Sequence, residues 1–297
     1  MSYKASGEHF ETGKDDSLEE LQKVENFTVL MSVYHKEVPK YLFDSVLSVM
    51  SNTVLPNELI IVEDGPLTRE LYLTIEKLQE QYPIVRTIKL KSNIGLAKAL
   101  NVGIEAASNE LIARMDTDDV CVKKRFEKQL NFLKSHNIDV CGGQIVEFDE
   151  SMTNPIGMRV VPLDHDSIVK FARRRAPLNH MTVLYKKSVV QSVGGYRSVP
   201  FLEDYDLWVR LIIAGATFAN LPDVLVHVRA GKGMLRRRGG WRYILAETKF
   251  FRELYQKGFI SGFELASNIS IRFVARLLPP FLRGIGYKML RHKVGNL

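Results

Sequence analysis

The chain has 297 residues, 45% hydrophobic and 25% charged. That is enough for a core that needs no staples, and it excludes wholesale disorder, collagen-like repetition and a polytopic membrane protein. Its formal charge of +7 divides unevenly: residues 1–228 sum to −5, while residues 229–297 reach +12, with 15 Lys/Arg against 3 Asp/Glu; such asymmetry suggests a polyanionic partner, whether nucleic acid, an acidic membrane surface or phosphates.

Residues 1–25 read as a flexible leader, polar and acidic, with neither the apolar run of a secretory signal nor the character of a transit peptide. Residues 27–33, β-branched and apolar on both faces, predict a buried parallel strand. Leu42, Val46, Val49 and Met50 then recur at helical spacing until Asn52-Thr53 and Pro56-Asn57 break the pattern. A second buried strand over 58–62, a helix over 68–81 ending before Pro83, a strand over 85–90, a helix over 93–107 and a strand over 111–115 follow. Less regularly come strands over 140–148 and 182–185 and a helix over 202–213 opened by Glu203-Asp204. This alternation predicts an α/β fold with a mostly parallel central sheet flanked by helices, whose ligands bind at the carboxyl ends of strands. Beyond about Val228 it gives way to a Gly/Arg-rich loop over 229–240 and then helical segments. Cys121 and Cys141 are the only cysteines, so a disulfide scaffold is excluded and a reduced, cytosolic setting is expected. No run of 18 apolar residues occurs, so no transmembrane helix is expected.

Polar residues follow three of the apolar runs at once: Ser32-Val33-Tyr34, Glu63-Asp64 and Asp116-Thr117-Asp118-Asp119. Three carboxylates in four residues repel one another unless something positive sits there. A divalent cation, Mg²⁺ or Mn²⁺, that also holds a diphosphate is one answer; a solvated turn or helix N-cap is the other. Glu63-Asp64 is either a turn before Gly65-Pro66 or an acceptor for a ligand's N–H or hydroxyl. Asn93-Ile94-Gly95-Leu96-Ala97-Lys98 opens a helix with a residue type that permits close approach to phosphate. Asp204 stands near a helix start, where it is a general-base candidate or simply an acidic N-terminus.

Together and in this order, Ser32–Tyr34, Ile60–Gly65, Asn93–Asn101, Ala113–Asp119 and Leu202–Trp208 resemble a family 2 inverting glycosyltransferase with the GT-A fold. The likeness covers roughly residues 26–228 and is strongest to the bacterial branch that builds capsular, exopolysaccharide and O-antigen repeat units. It implies that Ser32, Val33, Tyr34, Glu63 and Asp64 border the nucleotide base, with Asp64 accepting from it. It places Asn93, Gly95, Lys98 and Arg114 near the ribose and diphosphate. Asp116 and Asp118 are the implied DxD pair that holds the metal, with Asp119 beside it and His227 as a further metal ligand. Asp204, with Glu203, is the implied catalytic pair, Asp204 being the base. His180 and Trp208 are expected on the acceptor side. Glu63 stands where the family usually has Asp, and Pro66 where Ser is usual. The implied donor is a nucleotide sugar, most often a UDP-sugar, and the implied acceptor a polyprenyl-diphosphate-linked saccharide at the inner face of the cell membrane.

Arg236-Arg237-Arg238 lies on a glycine-flanked loop and reads as a solvated charge run, a lid over the nucleotide diphosphate, or a clamp for the acceptor diphosphate. Ile271, Val274 and Leu278, and after Pro279-Pro280 Phe281, Leu282, Ile285 and Met289, predict two short basic amphipathic helices that either lie in an anionic membrane surface or pack on the body. No nucleic-acid-binding motif accompanies the charge, so no nucleic acid partner is expected. Two competing readings remain: a sugar nucleotidyltransferase, although no Gly-rich basic loop follows the first strand, and a non-catalytic membrane or nucleic-acid-binding protein.

Overall fold

β1 (Phe27–Val33) carries apolar side chains toward both faces, and in the computed structural model, which describes residues 25–230, 240–278 and Arg291, it lies between two parallel neighbours. These are β2 (Glu58–Glu63) and β4 (Leu111–Arg114), and β3 (Val85–Lys89) extends the parallel set beyond β2. Four further strands complete the main path: β5 (Val120–Cys121), β6 (Val140–Phe148), β8 (Leu184–Lys186) and β9 (Phe218–Arg229). The order is β3-β2-β1-β4-β8-β6-β9-β5, with β7 (Pro155–Arg159) paired to β6 off this path. The expectation of a mostly parallel sheet therefore holds for the first half only. β8 runs antiparallel to both β4 and β6, β5 to β9 and β7 to β6, leaving β6–β9 as the one parallel pair of the second half among the described residues. The physical reason is connectivity: after β4 the chain no longer returns through one long helix per strand, and antiparallel pairing needs no such crossover.

Two apolar layers sandwich the sheet. Val29, Met31, Leu59 and Ile61 pack with α1 (Pro39–Met50), α2 (Arg69–Gln81) and α4 (Arg125–Ser135). On the other face Leu30, Ile60 and Val62 pack with α3 (Leu96–Ala106) and α7 (Glu203–Ile213), and Val190 of α6 (Lys187–Ser192) joins them. At Gly103 of α3, a Cβ would lie 2.2 Å from Leu30 Cδ1, so only glycine lets the helix approach the sheet this closely. That approach sets the α3 N-terminus against the carboxyl ends of β1 and β2. The strand expected over 182–185 begins instead as a single 3₁₀ turn, His180–Thr182, before β8.

The C-terminal region is continuous with this body. α8 (Trp241–Gln256) joins a third apolar cluster in which Phe250, Phe251 and Leu254 meet Tyr205 and Val209 of α7. α9 (Gly262–Leu277) starts with a capping box, Ser261 to Glu264, and is pinned by Asn268, whose Nδ2 donates to the Arg173 carbonyl at 2.9 Å. Glu247 of α8 pairs with Arg272 at 3.2 Å and Arg276 at 2.7 Å. Of the two amphipathic helices expected, the first is thus the end of α9, docked on the body. The second, over 281–291, lies outside the described residues except for Arg291, as do residues 1–24 of the leader and Arg236–Arg238. No helix of the described residues is long and apolar enough to cross a membrane.

Candidate active site

Parallel register brings the sequence motifs to one rim. Ser32 pairs with Val62, Val33 with Glu63, and Leu30 with Arg114, so the residues after β1, β2 and β4 emerge side by side. Val33 itself is core, and its carbonyl accepts from the Asp64 amide at 2.8 Å; only the neighbouring Ser32 and Tyr34 keep partly exposed side chains.

Asp64 and Glu63 are held in different ways. The Asp64 carboxylate accepts from the Ile94 amide at 2.7 Å and the Gly95 amide at 3.1 Å, while Asn93 Nδ2 donates to the Asp64 carbonyl at 3.2 Å. Gly95 has φ 85°, a conformation that favours glycine at the N-cap of α3. Asp64, Asn93 and Gly95 thus form a knot that fixes the start of α3, and Lys98 projects exposed from its first turn. Glu63 is only 1% exposed, and neither carboxylate oxygen has a hydrogen-bond partner. Burial pushes its pKa up, offset in part by the Lys89 ammonium.

The acidic loop after β4 is differentiated residue by residue. Arg114 is 1% exposed and donates to the Asp116 carboxylate and the Met115 carbonyl. Its guanidinium is thus held inside the fold against the acidic loop. Beneath it Arg125 donates to the Arg114 carbonyl at 2.8 Å and to Gln129 at 3.0 Å. Asp118 has its pKa pushed up to about 6, chiefly by burial and then by Asp116. Asp119 is buried and its Oδ1 accepts from the Arg229 amide at 2.9 Å. Arg229 also donates through Nε to the Asp118 carbonyl at 3.1 Å and stacks on Tyr41 at 3.8 Å. Asp119 therefore ties the loop to β9 and is not placed as a ligand.

His227, expected just after the last strand, is instead inside β9, opposite Val120 and 4.9 Å from the Phe148 ring, with its pKa lowered by burial. Among the described residues no three His, Cys, Asp or Glu side chains gather as a cation-holding group, so the four-ligand set Asp116, Asp118, Asp119 and His227 does not form. What does fit a hard divalent ion is narrower: the Asp116–Asp118 pair, two carboxylates of one loop.

The other wall is the N-terminus of α7. Asp204 occupies its first turn, with Oδ1 accepting from the Tyr205 amide at 2.8 Å, and lines a cavity of about 280 Å³. Glu203 beside it has its pKa raised by burial and then by Asp204. Asp206 is structural, held by Arg210 at 2.7 Å and Arg197 at 3.1 Å. Between the two walls stands His180, whose Nε2 lies 2.9 Å from the Tyr196 hydroxyl. Burial and then Arg114 lower its pKa to about 4, against the opposing pull of Asp204 and Asp116. It is a neutral ring at pH 7, electrostatically coupled to both acidic arms. Trp208 packs edge-on against it, with ring centroids 6.1 Å apart, and is fully buried, so its ring is not an exposed platform. Sequence reasoning missed Tyr196 and Arg229, which touch the site only through folding, and the arginines that share the Asp204 cavity.

An acidic loop of this kind can hold a cation, and a carboxylate lining a cavity, as Asp204 does, can take a proton. The sequence model of "Glycosyl transferase family 2" matches residues 28–239. The amylovoran biosynthesis glycosyltransferase AmsE of Erwinia amylovora is 40% identical over 85% of this chain and 94% of its own length. The UDP-Gal:alpha-D-GlcNAc-diphosphoundecaprenol beta-1,3-galactosyltransferase of Escherichia coli is 35% identical over 88% and 95%. In fold, the chain resembles S. aureus TarS 1–349 in complex with UDP-GlcNAc, with TM-score 0.55, 18% identity and coverage of 87% of this chain and 69% of that one. It also resembles the mannosyltransferase PcManGT from Pyrobaculum calidifontis in complex with GDP-Man and Mn2+, with TM-score 0.58, 14% identity and coverage of 89% and 84%. With the strand-end motifs, the acidic loop and Asp204 assembled on one rim of a GT-A sheet, the chain belongs to glycosyl transferase family 2.

Proposed function

We propose that this glycosyltransferase moves a sugar from a UDP-sugar to a saccharide carried on a polyprenyl diphosphate, with inversion, in surface polysaccharide assembly. The observation that carries the reading is the pairing of an acidic loop at the carboxyl end of a parallel strand, Asp116 to Asp118, with Asp204 lining a cavity at the N-terminus of α7. A single displacement needs a charge clamp on one side of the sugar and a base on the other. Asp204, at the N-terminus of α7, takes the proton of the acceptor hydroxyl. Glu63, the carboxylate without partners, accepts from the nucleotide base, and Lys98 meets the phosphates. Asp116, oriented by Arg114, and Asp118 would hold a divalent cation, which when bound neutralises the diphosphate leaving group. Neutral His180 lends a ring nitrogen to a sugar hydroxyl without adding charge.

The relatives named above support the donor and acceptor classes, one of them being named for UDP-Gal and a diphosphoundecaprenol-linked acceptor. A position on the inner membrane face is supported by the exposed apolar side chains of α8 and α9, with Trp241 at 61%, Leu245 at 65%, Ile271 at 64% and Val274 at 60% exposure. The test is a ligand screen by thermal shift across nucleotide sugars, with and without Mn²⁺, followed by turnover of Asp204→Asn. Stabilisation by one UDP-sugar and a loss of transfer by at least about 10³-fold with donor binding kept are expected. Near-normal turnover of the variant rejects Asp204 as the base, and no response to any UDP compound rejects the donor class.

A further inference from the structure

The cavity beside Asp204 is walled by arginines from four separate segments. Arg159 ends β7, Arg175 follows α5 (His165–Ala172), Arg272 and Arg276 lie on α9, and Arg291 comes from beyond it. Two carboxylates besides Asp204 share that wall, Glu147 and Glu247. Glu247 is engaged with Arg272 and Arg276, and Glu147 with Arg291 at 2.5 Å. Among the described lining residues five guanidinium groups face three carboxylates, Asp204 included, a formal surplus of two positive charges. Folding spends effort to hold them there. Arg159 donates to the Asn179 side chain at 2.8 Å and to the Ala176 carbonyl at 2.7 Å, and Arg272 stacks 4.2 Å from the Phe251 ring. Guanidinium forks match phosphate oxygens in pairs.

We infer that this cavity is the seat of the acceptor's diphosphate, so that the lipid-linked substrate is held by its diphosphate on the arginines while its sugar hydroxyl reaches Asp204. The inference rests on the role of Asp204 proposed above. It moves the acceptor clamp from the loop of Arg236–Arg238, where the sequence alone put it, to residues scattered over about 130 positions of chain. The cavity also adjoins Tyr243 at the head of α8, whose exposed Trp241 and Leu245 would lie along the path of a lipid chain.

The test uses the full chain and farnesyl diphosphate as a short-chain probe, with farnesol as the neutral control and saturating UDP plus Mn²⁺ present to fill the donor site. Arg175→Met keeps most of the side-chain stem and removes the charge. We expect farnesyl diphosphate to bind in the presence of UDP, farnesol to bind at least tenfold more weakly, and Arg175→Met to weaken the diphosphate probe at least tenfold with UDP affinity unchanged. Arg175→Lys, keeping a point charge without the fork, is expected to fall between. The inference is overturned if UDP displaces the probe, if farnesol binds as well, or if Arg175→Met binds the probe like the parent chain. The UDP titration run alongside separates this failure from failure of the donor reading, and equal thermal midpoints of parent and variant exclude misfolding as the cause of a loss.

Discussion

Replacing Glu63 by Gln should make the free protein more stable and the nucleotide complex weaker. The carboxylate is buried with neither oxygen hydrogen-bonded, and its pKa is raised by burial. A carboxyl whose folded-state pKa exceeds its unfolded value stabilises the fold below the unfolded pKa, and that contribution is lost as pH rises through the folded one. At pH 7.5 the ionised group is therefore a cost, which an unsatisfied buried polar group sets at roughly 1 kcal/mol. An isosteric neutral amide removes the charge, and for a chain of this size the gain corresponds to about 2–3 °C in Tm. The same substitution deletes a charged acceptor for the imide N–H of uracil. Such a bond contributes about 1.5–3 kcal/mol, or roughly 10- to 100-fold in the Kd for UDP. Scanning fluorimetry of the free protein at pH 7.5 and pH 4.5, with calorimetric UDP titration at pH 7.5, reads both effects. The Tm gain should appear at pH 7.5 and shrink at pH 4.5, since a carboxyl with a raised pKa is ionised less at the lower pH. A lower Tm at pH 7.5, or an unchanged UDP affinity, refutes the reasoning.

Three other substitutions probe separate parts of the site. Asp118→Asn should abolish the Mn²⁺-dependent part of UDP binding measured by calorimetry; an unaltered metal response removes Asp118 from the cation site. Because folded His180 titrates near pH 4 and the unfolded residue near 6.5, the unfolded chain binds the extra proton between those values and stability falls on acidification through that window. His180→Gln should flatten that slope by up to about 1.4 kcal/mol per pH unit, read from urea midpoints at pH 7 and pH 5, and an unchanged slope contradicts the buried neutral ring. Leu245→Glu combined with Val274→Glu should reduce sedimentation with vesicles containing anionic lipid while leaving Tm within about 2 °C, since both side chains are mostly exposed. Equal sedimentation counts against membrane contact through α8 and α9.

The parallel half of the sheet was legible because β1, β2 and β4 are apolar on both faces, a pattern that only a doubly covered strand can satisfy. α7 was legible from Leu207, Trp208 and Leu211, which share the core face. β9 was not, since Leu221-Pro222-Asp223 interrupts it with a residue that cannot donate to a ladder. The strand survives because its register with β6 shifts there and Gln144 substitutes a side chain for the ladder, donating to the Leu221 carbonyl at 2.9 Å. The three carboxylates of the acidic loop look alike in sequence, and only burial separates the brace, Asp119, from the pair it supports. Glu63 and Asp64 are likewise adjacent and similar, and the loop over 92–95, folded against Gly65, decides which of them remains without partners. Arg159 and Arg175 carried no signal because the position of a guanidinium group is a property of the packed chain.

The ion pairs that fasten α9 also bear on how the protein would respond to salt. Arg272 and Arg276 are matched by Glu247, and Arg291 by Glu147. At physiological ionic strength the Debye length is about 8 Å, so charges cancelled over a few ångströms contribute little to the potential a distant surface feels. Glu247 is already counted in the formal +12 of the last 69 residues, so among these pairs only Arg291–Glu147 draws on a carboxylate outside them and lowers that charge, by one. A bilayer-bound state would therefore combine long-range attraction with insertion of Trp241, Leu245, Ile271 and Val274, and depend on lipid packing as well as on counterions. High salt would weaken such a state only in part, because screening acts on the charges and not on the inserted side chains.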